Sequence, residues 1–588
     1  MADDQSYINQ IKQWGRSRYS PRPEGPLSPA IPSCIKMIPM RDGVCLYTEI
    51  YKPSNKGCYP VVFHRSPYPS FLPSRDNKGS VKRYIDAGYI FIFQLTRGQG
   101  QSEGHYEYYK DDINDGYDSI EWIADQAWCD GNVGMEGSSY AGSVQLLAAR
   151  SKPDALKCIM PTAFVGNYLS CFPFCGGVPL RSMLMQWYKL CDVKSMSDLD
   201  ISYGDMRIAE HPDWRKALIS RPLIDCANQR LQGDKLKSWR EIISNPTDNG
   251  FWDAIHYTDD ELAELQLPMF ITDGWYDVTI GPLNYFERLE RMSNNPNHYL
   301  LVGPWDHAQT YREYLHDLPH GDYAMPEDGK LDLSALRLAF FDRYLKGKKS
   351  SKIQEDRVKV FITGENTWHV APTFPLPGTK DQLMYLHSKG SAGTNPSDGY
   401  LDRGKPNNEP VDTYRYNPDI PTPHEYEAFR DRRHLEMRAD MLTYTSSPFE
   451  FPITIVGEIN LVLYAASDCL DTDWFAMLTE VHPSGKSIGF YSAWPALRAR
   501  YHKGMHEENP LVPGEPTEFR ISLGACGHQI AAGNCLRLSI YSSSFPIFDP
   551  NTNTGKCVAT DTASQVANQV IFHDATRASH IVLPIIEA

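Results

Sequence analysis

The chain has 588 residues, of which 41% are hydrophobic and 22% charged, with a formal net charge of −15 from 58 basic and 73 acidic side chains. One hydrophobic core stops growing at about 250–300 residues, so about two to four domains are expected. The acidic balance excludes a nucleic-acid partner, which would need a basic face. Residues 1–34 carry Pro21, Pro23, Pro26, Pro29 and Pro32 among Ser and Gly, the composition of an extended arm. Ile35 to Pro39, the turn Arg41-Asp42-Gly43 and Val44 to Tyr51 then read as a hairpin with Asp-Gly at its turn. Tyr59–His64 and Tyr89–Phe93 are short, nearly all-apolar runs that suit strands buried on both faces. Asp115 to Gln126 follows a helical period, with Ile113, Tyr117, Ile120 and Ile123 on one side. Strands alternating with helices predict an α/β sheet.

From about residue 165 to 260 helical stretches dominate, including Leu180–Leu190 and Asp213–Ile219. This segment reads as a helical cap inserted between two parts of the sheet domain, 35–164 and 261–354. Strand signals return at Pro268–Thr272 and His298–Val302, and Leu333–Lys346 is a last helix. From 355 to 588 the chain breaks into short β runs with frequent Gly and Pro: Val358–Thr363, Gln382–Leu386, Ile453–Leu463, Phe475–Val481, Glu518–Leu523 and Leu536–Tyr541. That pattern predicts a separate all-β sandwich.

No apolar run approaches the ~18 residues of a membrane span. The start, Met1-Ala2-Asp3-Asp4-Gln5, lacks the basic and apolar runs of a secretory signal, and Ile585-Ile586-Glu587-Ala588 matches no retention signal. The 13 cysteines are odd in number, without CxxC or paired Cys/His spacing, against a disulfide framework and against zinc. A cytoplasmic protein with no metal or other cofactor and no membrane contact is expected; a homo-oligomer is left open.

The segment that carries chemistry is Gly137-Ser138-Ser139-Tyr140-Ala141-Gly142, between a strand ending near Gly137 and a helix starting near Tyr140. A serine in such a turn stands above the sheet, and the next residue's N–H points to where an oxyanion would form. Ser139 has glycine two residues before it and the tight turn behind it; Ser138 has neither. Ala141 occupies a position where the commonest motif has glycine. The triad order for this fold is Ser, Asp, His. Asp273-Gly274-Trp275-Tyr276-Asp277 follows one strand and Gly303-Pro304-Trp305-Asp306-His307 the next. Strand ends are where such sheets place their sites. Asp277 is therefore the expected acid and His307 the general base, with Asp273 and Asp306 as alternative acids.

Gly-x-Ser-Tyr-x-Gly at 137–142, Gly-Trp-Tyr-Asp at 274–277 and Gly-Pro-Trp-x-His at 303–307 together resemble the cocaine esterase / X-prolyl dipeptidyl peptidase (CocE/NonD) family of α/β-hydrolases. Arg65-Ser66-Pro67-Tyr68, Arg97–Gly104, Ser542–Pro546 and Asp549–Gly555 extend the likeness from about residue 35 to the end. The resemblance implies an α/β-hydrolase domain, an inserted helical cap and a C-terminal jelly-roll. It also implies an oxyanion hole made of the Tyr68 phenol and the Tyr140 N–H. A phenol, with an ordinary pKa near ~10, stays protonated and can donate there. By position, Phe172 and Trp187 match aromatic walls of an acyl pocket, and Thr279 stands where cocaine esterase has another aromatic residue. The pocket therefore differs, and cocaine is not the expected substrate. Val278-Thr279-Ile280-Gly281 carries no carboxylate, which disfavours recognition of a substrate ammonium and dipeptidyl peptidase activity. The leading expectation is hydrolysis of a small-molecule carboxylic ester through an acyl-enzyme on Ser139. Acyl transfer, or lactone, amide or C–C bond hydrolysis on a metabolite of secondary metabolism, would use the same residues. A non-catalytic binding protein would show a broken triad, and this one is complete.

Overall fold

A computed structural model describes residues 30–74, 80–169, 171–194, 208, 211–253, 255–277, 281–293, 295–311, 320–349, 357–394, 397–425, 428–491 and 495–586. The first layer is a ten-stranded sheet. In chain order its strands are β1 (Cys34–Pro39), β2 (Cys45–Tyr51), β3 (Tyr59–Ser66), β4 (Ile90–Leu95), β5 (Cys129–Ser138), β6 (Leu156–Thr162), β7 (Met269–Tyr276), β8 (His298–Asp306), β9 (Val358–Ile362) and β10 (Thr367–Ala371). They lie side by side as β1-β2-β4-β3-β5-β6-β7-β8-β9-β10. The six strands from β4 to β8 in this order, and β9 after them, pair in parallel, while β1, β2 and β10 run antiparallel to their neighbours. The β1–β2 hairpin turns at Gly43, whose φ of 87° is costly for any residue with a Cβ.

Parallel strands must be covered on both faces, so every residue of β4, β7 and β8 is buried. The covering helices include α1 (Ser80–Asp86), α2 (Asp112–Ala124), α3 (Tyr140–Arg150), and, further along the chain, α7 (Gly281–Met292) and α8 (Leu333–Lys346). The last of these has the bounds expected from its periodicity. It is capped by the Asp332 side chain at one end and by left-handed Gly347 at the other.

Between β6 and β7 the chain leaves the sheet and forms α4 (Arg181–Asp192), α5 (Pro212–Ile219) and α6 (Gly233–Ile243). This is the helical cap. Its core is built on Trp187, Trp214, Trp239 and Trp252, each at most 4% exposed. At about 25 cal/mol per Å2 and 150–250 Å2 per ring, each such burial contributes on the order of 4–6 kcal/mol.

The C-terminal region is all β. A long strand, Ile453–Ser467, pairs antiparallel with Thr517–Ile530 and with His580–Ile586, and Asp473–Val481 pairs with Cys535–Tyr541. One expectation fails here. Val358–Ile362 reads in sequence as the opening of this region, yet it pairs in parallel with β8 and extends the hydrolase sheet. A short apolar run carries no information about which sheet edge receives it. The sheet therefore runs past residue 355 to Ala371.

The β region is fastened to both other parts. Thr363 N, just past β9, donates to Gly527 O at 2.9 Å, and a Cβ on Gly527 would lie 2.7 Å from the Trp275 ring of β7. Towards the cap, Asp549 N donates to Pro179 O and Arg498 N to Gly176 O. Arg181, the first residue of α4, pairs with Asp549 at 3.1 Å. Among the described residues no helix is long and apolar enough to cross a membrane.

Candidate active site

The carboxyl ends of β5, β7 and β8 form one edge of the sheet. At the end of β5 the chain turns sharply into α3, and Ser139 occupies the turn with φ 60° and ψ −126°. For a residue with a Cβ this conformation costs about 1–3 kcal/mol and persists only where its surroundings over-determine it. They do so here. Ser139 N donates to Thr162 O at 2.9 Å, and Ser139 O accepts from Gly142 N and Ser143 N at 2.9 and 3.0 Å. The flanking glycines are required by space. A Cβ on Gly137 would lie 2.7 Å from Ala141 Cβ, and one on Gly142 would lie 2.8 Å from Thr162 O. Both serines are half-buried, but Ser138 is the last residue of β5 and pairs in register with Thr162, while Ser139 stands in the turn beyond it. Tyr140 is the first residue of α3, so its N–H has no partner within the helix.

β7 and β8 are adjacent and parallel, with Tyr276 opposite Asp306. The next residue of each strand is Asp277 and His307, so the register places them side by side. His307 Nδ1 lies 2.8 Å from Asp277 Oδ1 and 3.0 Å from Oδ2. Asp277 is fully buried and the His307 side chain is 22% exposed. The two alternative acids have other roles. Asp306 Oδ1 accepts from Ala308 N and Gln309 N at 2.9 and 3.0 Å, which shapes the turn that carries His307. Thr310 Oγ1 closes that turn on His307 O at 2.7 Å. Asp273 lies inside β7 rather than after it, and its Oδ1 accepts from Gly274 N at 2.9 Å. Burial, and then the charge of Asp277, push the Asp273 carboxyl well above the ordinary carboxylate range.

Tyr68 follows the end of β3, at the start of a short 3-10 turn, Pro69–Phe71. Its phenolic oxygen accepts a hydrogen bond from Trp187 Nε1 at 2.8 Å, and both residues are buried. Trp187 stacks on Tyr140 (centroids 6.0 Å, 20°) and meets Phe172 edge-on at 6.0 Å. Tyr109 also stacks on Tyr140, with ring centroids 4.0 Å apart. One apolar cluster thus joins Tyr68, Tyr140, Phe172 and Trp187 to Phe475 and Phe548 of the β region. Thr279 and residues 1–29 of the arm lie outside the described residues.

Beneath the serine turn is a group that the sequence did not announce. The Tyr140 phenol donates to Asp112 Oδ2 at 2.5 Å, and Asp112 pairs with Arg65 at 3.1 Å. All three are buried. Burial raises the Asp112 carboxyl, while Arg65 and the Tyr140 hydroxyl act to lower it. Burial and then the Asp112 charge push the Tyr140 phenol up, so it remains a donor. The available signal was one acid and one arginine in segments flanking the site, too common to single out. Among the described residues no group of three or more His, Cys, Asp or Glu side chains is placed to hold a metal ion.

Comparison with known proteins agrees with this architecture. The X-Pro dipeptidyl-peptidase (S15 family) model matches residues 42–309. The X-Pro dipeptidyl-peptidase C-terminal non-catalytic domain matches residues 351–582. A cocaine esterase from Rhodococcus sp. (strain MB1 Bresler) is 31% identical over 577 residues, covering 94% of this chain and 98% of the relative. An aminopeptidase from a marine sediment Thaumarchaeota archaeon shares the fold, with a TM-score of 0.80 at 23% identity over 97% of this chain and 99% of that one. An α-amino acid ester hydrolase does so with a TM-score of 0.78 at 22% identity over 96% and 98%. The chain belongs to the CocE/NonD, S15-type family of α/β-hydrolases and is a hydrolytic enzyme.

Proposed function

We propose that the protein is a serine carboxylesterase acting on a small-molecule ester, with Ser139 as nucleophile, His307 as general base and Asp277 as the acid that orients it. The observation that carries this reading is the His307–Asp277 hydrogen bond at the ends of adjacent strands, on the sheet edge where Ser139 is held in its strained turn. In this mechanism His307 takes the Ser139 proton as the hydroxyl attacks the ester carbonyl. It then returns that proton to the departing alkoxide, leaving an acyl-enzyme. Water, deprotonated by the same imidazole, releases the acid. Asp277 keeps the imidazole in the tautomer with Nδ1–H and stabilises the imidazolium. The Tyr140 N–H and the Tyr68 phenol stabilise the tetrahedral oxyanion.

The apolar ring surfaces of Phe172 and Trp187 support an acyl group that is flat or apolar. The lack of a carboxylate in Val278-Thr279-Ile280-Gly281 supports an acyl group without a free ammonium. Exhaustive reaction with a fluorophosphonate, followed by peptide mass spectrometry, tests the reading. A single adduct on Ser139, lost in Ser139→Ala, is expected; labelling that survives the substitution would overturn it. p-Nitrophenyl esters of graded chain length and aryl content then rank the acyl group.

A further inference from the structure

We propose that Trp187 is a positioning residue for the reaction, acting through Tyr68: its indole N–H fixes the phenol so that the phenolic proton is directed away from the cap and towards the substrate oxygen. The proposal rests on the esterase reading above and deepens it, because it gives a site residue read as a pocket wall a second role.

A phenolic oxygen has one donor proton and two acceptor lone pairs, whereas an indole N–H can only donate. With Nε1 at 2.8 Å, one lone pair of the Tyr68 oxygen is occupied. The Tyr68 proton therefore cannot point at Trp187. One direction of the hydroxyl rotor is thereby closed before substrate arrives, which is the preorganisation that an oxyanion donor needs. Hydrogen bonds in a chain also polarise one another, by about 10–30% per bond. Accepting from Trp187 makes the phenol a better donor to a developing negative charge. Both groups are at most 5% exposed, so little water competes for either bond.

The indole is held by contacts unrelated to any ligand. It stacks on Tyr140, meets Phe172 and Tyr108 edge-on, and packs 5.0 Å from Tyr188. Its helix, α4, is anchored by Arg181 on Asp549. Tyr140 supplies the other proposed oxyanion donor through its backbone, and its ring stacks with both Tyr109 and Trp187. One stack of rings thus ties both donors together.

The experiment is a double-mutant cycle on the full chain, with Trp187→Phe, Tyr68→Phe and the double variant, read as kcat and KM on one p-nitrophenyl ester. Tyr68→Phe is expected to lower kcat by about 100-fold or more, the scale of one lost oxyanion donor. Trp187→Phe is expected to lower kcat by about 10-fold with KM within about twofold, because the ring face remains while the donor is lost. In the Tyr68→Phe background, Trp187→Phe should add nothing. If it lowers kcat equally in both backgrounds, or changes only KM, the residue is a pocket wall and the proposal falls. Should Trp187→Phe not fold, benzothienylalanine at position 187 keeps the indole shape and removes only the N–H; full kcat in that protein would also overturn the proposal. Fluorophosphonate labelling of Ser139 in the unmodified protein separates the two readings. Without that label the esterase reading itself fails, whatever the cycle gives.

Discussion

Arg181 and Asp549 bind the first turn of the cap helix α4 to the β region, with Nη1 and Oδ1 3.1 Å apart and both side chains at most 10% exposed. Arg181 also donates to Ala217 O at 3.1 Å and to Ser220 O, so one guanidinium joins α4, the end of α5 and the β region. Removing the carboxylate alone strands a buried cation, at a cost of about 3–5 kcal/mol. Asp549→Ala should lower the thermal midpoint by several degrees. It should also reduce kcat, because α4 carries Trp187. Differential scanning calorimetry and steady-state kinetics on the same preparation check both. An unchanged midpoint would mean that the pair contributes little to holding the cap.

The His307–Asp277 bond makes a sharp prediction about the triad. Asp277→Asn keeps the shape but can present an amide N–H to Nδ1, favouring the wrong tautomer. A fall in kcat of about 10,000-fold is expected on the scale known for such substitutions. The circular dichroism spectrum should be unchanged. Activity within tenfold of the parent would remove Asp277 from its role.

Asp273 predicts the opposite outcome four residues earlier. Burial and the Asp277 charge push its carboxyl up and so disfavour its charged form, and Asp273→Asn puts a neutral group of similar shape in its place. kcat should stay within about threefold, as expected of a carboxyl that lies inside β7 rather than beside His307. The stability effect has a sign. The raised native pKa means that the unfolded chain loses this proton first, so the parent loses stability as pH rises above the unfolded value near ~3.9. Asp273→Asn lacks that slope. Chemical denaturation at pH 5 and pH 8 should show the variant gaining on the parent at the higher pH.

Glu287, on α7, gives a second pH signature away from the site. Burial, and next the charge of Glu458 on the long β-region strand, push its carboxyl up to about 7, against the pull of Arg291. The native group thus keeps its proton above the unfolded value of ~4.3. Stability is lost from that pH upward, and the loss is complete above the native value. The penalty is of order 1–3 kcal/mol. Glu287→Gln should flatten the fall in thermal midpoint between pH 5 and 8. A parallel fall in both proteins would place the titration elsewhere.

Much of this site is legible in the sequence because it depends on chain direction and strand ends. Gly137 and Gly142 announce a turn where helix and strand nearly touch. Asp277 and His307 are readable as partners because β7 and β8 are neighbours in parallel register. The partnerships that remain hidden are side-chain contacts across long loops. Trp187 and Tyr68 are 119 residues apart, and they meet only because the cap helix α4 lies over the end of β3. Arg65, Asp112 and Tyr140 come from three elements whose mutual placement only the folded sheet supplies. The sheet that receives Val358–Ile362 is hidden for the same reason: its apolar residues fit either edge, and the fold pairs it with β8.

That last strand bears on how the molecule can be dissected. β9 supplies the backbone partners of Leu300–Val302 on β8, the strand that delivers His307. A fragment ending near residue 355 would expose a row of unpaired N–H and C=O groups on an apolar strand, the usual template for edge-to-edge association. The hydrolase half is therefore not a portable module at its apparent boundary. A chimera that exchanges C-terminal regions between relatives has its sound junction after Ala371, where β10 closes the sheet.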